Sequence, residues 1–149
     1  RNVGGHGRVN KLGVPSFVFS REEFIAGVPI LEKLAEYDVC LIVLAGFMNK
    51  ISDVILQAFP GKIVNIHPAL LPKYGGKGMY GMHVHEAVVK AGERESGITI
   101  HYINEHYDEG AIIFQASCPV LPSDTPEEVA SKVHALEYAH YPHVIESLL

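Results

Sequence analysis

The stretch Gly61-Lys-Ile-Val-Asn-Ile-His-Pro-Ala-Leu-Leu-Pro-Lys-Tyr74 begins as an apolar strand and then changes character. Side chains alternate across a strand, so Asn65 and His67 project from the same face. Pro68 has no N–H to donate and ends the ladder there. An amide and an imidazole therefore stand together at the carboxyl end of a strand, the place where open α/β sheets take their ligands. On spacing alone, a core strand that simply ends in a polar turn has roughly equal weight.

Upstream, Val39-Cys-Leu-Ile-Val-Leu-Ala45 is an unbroken β-branched-rich run, which predicts a central parallel strand covered on both faces. Val9 to Gly13 reads as the last turn of a helix closed by glycine, and Val14 to Phe19 as a short strand. Ser20 caps a helix with Glu22 and Glu23 in its first turn, running through Ile30, Leu31 and Leu34 towards Tyr37. Ser52 caps a short helix to Phe59. Strands alternating with helices imply right-handed crossovers and a parallel sheet.

Downstream, a long glycine-rich loop from Ala69 to Met82 follows the strand end and reads as a ligand-binding element. A helix is expected from about Val84 to Ala91. The strands Ser96 to Ile103 and Ala111 to Val120 are separated only by the polar turn Asn104 to Gly110, which predicts an antiparallel pair. Thr125, Pro126, Glu127 and Glu128 open the last helix, with a break expected at Pro142. The fold class is α/β: a mostly parallel, Rossmann-like sheet flanked by helices, with an antiparallel strand pair towards the C-terminal half.

The 149 residues fit one domain, and 48% hydrophobic residues suffice for a real core. No apolar run approaches the length of a membrane span, and the polar start has no signal-peptide pattern, so no membrane partner is expected. A net charge of −5 without a basic block argues against nucleic acid as a partner. Cys40 and Cys118 lie in apolar runs and read as small buried hydrophobes in a reducing compartment.

Nine histidines raise the question of metal, yet there is no HExxH and no CxxC. His83 and His85, two residues apart, do not face one way on a helix, so no metal is expected. His134, His140 and His143 read as surface or partner residues. Gly75 to Gly81 lacks the P-loop pattern, and no serine has GxSxG context. His67 is the best acid–base candidate, because its ordinary pKa lies near neutrality. Asn65 can donate N–H to an oxygen that becomes negative. Asp108 is the carboxylate chosen to orient and charge the imidazole, against the simpler description of a turn aspartate.

Leu44-Ala-Gly-Phe-Met48, Asn65-Ile-His-Pro-Ala-Leu-Leu-Pro-Lys-Tyr74, and Gly97-Ile-Thr-Ile-His101 leading to Asp108-Glu-Gly110 together resemble the folate-dependent formyltransferases. The resemblance runs from about Leu12 to the end. It implies that Asn65, His67 and Asp108 are the catalytic trio. The amine of glycinamide ribonucleotide would attack the formyl carbon of the cosubstrate 10-formyltetrahydrofolate, in de novo purine biosynthesis. Asn65 and protonated His67 would stabilise the oxyanion, His67 would pass protons to the leaving folate nitrogen, and Asp108 would raise the pKa of His67.

The same resemblance assigns folate contacts to Met48, Asn49, Lys50, Ile51 and Asn65, with Arg21 as a further match. It assigns a substrate contact to Glu137 and places Thr99 and His101 near the active centre. It implies a cytoplasmic enzyme of small molecules and leaves a homodimer open. Lys73 or Lys77 is a further candidate for neutralising an anion. The family's first strand and its Gly-Ser-Gly-type phosphate loop have no counterpart here, so the expectation is a single formyltransferase domain over residues 1–149 lacking its first βα unit. The alternatives are a formyltetrahydrofolate deformylase, another folate-dependent formyltransferase, and a non-catalytic folate-binding module.

Overall fold

The computed structural model describes residues 11–47, 50–105 and 110–149. Its four-stranded sheet has the order β1-β2-β3-β4. Strand β1 (Ile42–Leu44) runs parallel to β2 (Ile63–His67). Strand β3 (Glu95–Tyr102) is antiparallel to β2, and β4 (Ile112–Pro119) is antiparallel to β3. The helices are α1 (Arg21–Ala26), α2 (Val28–Glu36), α3 (Asp53–Ala58), α4 (Met82–Lys90) and α5 (Pro126–Ser147). The α/β class, the flanking helices and the antiparallel β3–β4 pair match the sequence reading.

The sheet is less parallel than expected: among the described strands, β1–β2 is the one parallel pair. A helix between two strands does not force a parallel crossover. Here the loop from Ala69 to Gly81 gives the chain the reach to enter β3 at the carboxyl end of β2, where Thr99 stands opposite His67.

Val14 to Phe19 forms no strand. Pro15 removes a donor, and Val14 and Val18 are 53% and 68% exposed, so nothing apolar rewards an extended ladder there. The long helix expected after Ser20 is two helices. Gly27, at φ 77°, closes α1 and opens α2, its N–H bonding Glu23 O and its carbonyl accepting from Leu31. A Cβ at this position would lie 2.1 Å from Ser52 Oγ, so the joint also admits α3 closely. Strand β1 is short and outermost in the described sheet, with Val43 38% exposed. Cys40 is exposed and Cys118 half-buried, both as free thiols, so neither is the fully buried hydrophobe the apolar runs suggested.

Strand β2 is buried at every position. Its Ile66 packs with Ile98 and Ile100 of β3, Val88 of α4, and Val129 and Val133 of α5. Ile63 packs with Ile51 and Ile55 in a second cluster. Helix α5 is opened by a capping box in which Thr125 Oγ1 accepts from Glu128 N at 3.2 Å. It continues through Pro142 rather than breaking. Proline there frees the Tyr138 carbonyl, on a residue whose side chain is 79% exposed, so water can satisfy it. Among the described residues, no helix is long and apolar enough to cross a membrane.

Candidate functional site

The carboxyl ends of β1 and β2, the loop after Pro68, α4 and α5 enclose a cavity of about 670 Å³. Asn65 and His67 line it from β2, as their shared strand face requires, and are only 8% and 4% exposed. His67 Nε2 lies 2.7 Å from Tyr74 O. A carbonyl oxygen can only accept, so Nε2 carries the proton. Asn65 Oδ1 is buried and has no hydrogen-bond partner among the described residues. A buried amide oxygen left unpaired is costly, so a donor entering the cavity gains a prepared partner.

Lys50 and Ile51 line the same cavity. Met48 and Asn49, the other two members of that expected folate segment, lie outside the described residues. So does Asp108, the third member of the expected catalytic trio. Arg21 is the exposed first residue of α1 and is not among the cavity-lining residues. Glu137 does line the cavity, with its Oε2 3.3 Å from His134 Nδ1. Residues 134, 137, 138 and 141 recur at helical spacing and present one face of α5 to the cavity. Tyr141 OH donates to Leu44 O at 2.6 Å and ties that face to the end of β1. Burial, with the Glu137 charge behind it, raises the Tyr141 pKa and keeps the phenol a donor.

Thr99 and His101, expected near the active centre, are wholly buried on β3 opposite His67 and Asn65. Thr99 Oγ1 donates to Ala69 O at 2.7 Å and accepts from Leu71 N at 3.0 Å. Gln115 Nε2 donates both to that oxygen and to Leu71 O. Thr99 therefore pins the start of the loop rather than lining the cavity. Of the two loop lysines, Lys77 lines the cavity, while Lys73 Nζ sits 3.6 Å from Glu93.

Sequence reasoning missed His85 and misplaced His134. His85 is 2% exposed, lines the cavity, and leaves Nδ1 buried without a partner among the described residues. Its ring centre is 6.4 Å from that of His134, which also lines the cavity. Burial first, then the charges of His134 and His67, lower the His85 pKa and favour the neutral imidazole. The signal available was its place beside Val84 and Val88, the buried stripe of α4. His83, two residues away, is on the exposed side and pairs with Glu86 at 3.9 Å, as the helical period demands. Among the described residues, no group of three or more metal-ligating side chains is gathered.

The sequence profile described as Formyl transferase matches residues 1–145. The chain is 40% identical over 153 residues to the chloroplastic phosphoribosylglycinamide formyltransferase of Arabidopsis thaliana, covering 99% of this chain and 52% of that protein. It is 39% identical to the phosphoribosylglycinamide formyltransferase of Bacillus subtilis (strain 168), covering 95% of this chain and 72% of that one. The crystal structure of phosphoribosylglycinamide formyltransferase from Streptococcus pneumoniae TIGR4 superposes with a TM-score of 0.89 at 36% identity, over 99% of this chain and 82% of that one. The chain spans about half the length of the plant relatives it matches, 52% and 48%. A profile match over nearly the whole chain, with a closely superposing fold, means that the chain belongs to the formyl transferase family.

Proposed function

We propose that this chain transfers the formyl group of 10-formyltetrahydrofolate to the amine of glycinamide ribonucleotide. The observation that carries the reading is the pair Asn65 and His67 at one end of β2, buried and facing a large cavity. The names of the relatives supply the reaction. The cavity fits two small reactants: its volume is in the range of small-molecule sites, and Asn65 offers a buried amide whose Oδ1 has no partner among the described residues.

In this reading the substrate amine attacks the formyl carbon, and the formyl oxygen becomes negative. The Asn65 amide and the His67 imidazolium donate to that oxygen in a site where water is largely excluded, which strengthens both contacts. His67 then returns a proton to the leaving folate nitrogen. Asp108 raises the His67 pKa as a neighbouring anion should. Lys50 and Ile51, with Met48, Asn49 and Asn65, hold the folate. Glu137 meets the glycinamide part from α5. Arg21 is left without support as a folate contact, since it does not line the cavity.

The likeness to these relatives also carries de novo purine biosynthesis as the pathway. The proposal extends to the cytoplasm as the compartment, although the plant relatives are named chloroplastic. A Rossmann-like ancestry of the sheet is proposed on the parallel β1–β2 pair.

The test is incubation with 10-formyltetrahydrofolate, with and without glycinamide ribonucleotide. Formylated product that requires the amine supports the reading. Release of formate without the amine points to a deformylase, and folate binding without turnover to a binding module.

A further inference from the structure

Tyr74 sits in the left-handed region, at φ 57°, where a bulky side chain is an outlier. Such a conformation costs on the order of 1 kcal/mol and persists only where its surroundings fix it. The surroundings here are specific. The Tyr74 ring packs against the main core cluster, and its OH donates to Glu93 Oε1 at 3.0 Å. Glu93 is itself fixed just beyond α4, where its N–H bonds Val88 O, and its Oε1 is 3.6 Å from Lys73 Nζ. Partial burial and Glu93 raise the Tyr74 pKa, so the phenol stays protonated and keeps donating. The other end of the same residue is the carbonyl that accepts from His67 Nε2 at 2.7 Å.

We propose that Tyr74, anchored through Glu93, is a positioning residue that holds the His67 ring as its Nε2–H tautomer and so assigns proton exchange to Nδ1. The reasoning is chemical. A neutral imidazole has one N–H, and the carbonyl accepts it only from Nε2. The nitrogen that takes and gives protons is then Nδ1. The phenol anchors the loop about one ring length from the backbone atom that matters. Losing the anchor leaves Tyr74 in an unfavourable conformation with less to hold it there. The proposal rests on the acid–base role given to His67 above, but the tautomer itself is observable without turnover.

The experiment uses protein labelled with 15N in histidine, the His67 signals being assigned by their absence in His67→Ala. The wild type is expected to show a protonated Nε2 and an unprotonated Nδ1 for His67. In Tyr74→Phe and in Glu93→Ala, the two shifts are expected to move towards the averaged values of a mixed tautomer. For the same variants, kcat should fall roughly tenfold with KM little changed, below the ~100-fold that a 1 Å misplacement can cost. Glu93→Gln still accepts from the phenol and should restore both readings, which controls for folding. Unmoved 15N shifts in Tyr74→Phe and Glu93→Ala overturn the proposal, even if turnover falls, and so does a wild-type His67 protonated at Nδ1. A wild type that makes no formylated product overturns the proposed function instead and leaves the tautomer result to stand by itself.

Discussion

Asn65 presents a buried amide whose oxygen has no partner among the described residues, beside a histidine whose Nε2 is already committed to a carbonyl. If the amide stabilises the developing oxyanion, Asn65→Ala should lower kcat by about 100-fold to 1,000-fold while folate binding is better preserved. Steady-state kinetics beside a folate titration check this, and a kcat within a few-fold of wild type would contradict it. His85 makes a separate prediction at this scale. Its folded-state pKa is depressed, so below the ordinary histidine value of 6.5 the unfolded chain binds more protons and stability is lost. Above 6.5 the group is neutral in both states and adds no pH dependence. The melting temperature should therefore decline more steeply on acidification in the wild type than in His85→Leu; equal slopes contradict the assignment.

The elements differ in how much of them could be read from sequence. The α5 start was readable because a cap is local: Thr125, Pro126 and Glu128 determine it within four residues. Thr125→Ala should cost about 1 kcal/mol, read as a lower denaturant midpoint at unchanged slope. The β2 strand was readable because Asn65 and His67 follow a period of two after Gly61. What stayed hidden depended on partners far along the chain. The apolar run at Val39 did not reveal that β1 would be outermost in the described sheet. Nor did Pro142 reveal that Tyr138 faces solvent and lets α5 continue. The division at Gly27 is half local, a left-handed glycine, and half distant, the 2.1 Å approach that a Cβ would make to Ser52 Oγ. Gly27→Ala should destabilise through both terms, and a melting temperature equal to wild type would contradict the close packing of α1, α2 and α3.

For the whole molecule, the cavity is assembled from four parts of the chain: the β1 end, β2 with its loop, α4 and α5. Sequence spacing located the β2 pair, and the family likeness pointed to Glu137 and to Lys50 and Ile51. Neither route gave His85 or His134, since their facing positions on α4 and α5 exist only once those helices pack. Net charge of −5 concealed the cavity's mixed lining, in which Lys50, Lys77 and histidines accompany Glu105 and Glu137. The most direct test compares wild type and His67→Ala for formyl transfer from 10-formyltetrahydrofolate to glycinamide ribonucleotide, with circular dichroism and melting recorded on both. The result expected is amine-dependent product in the wild type and a loss of at least about 100-fold in a variant that remains folded. A folded His67→Ala protein that turns over at close to the wild-type rate would contradict the account.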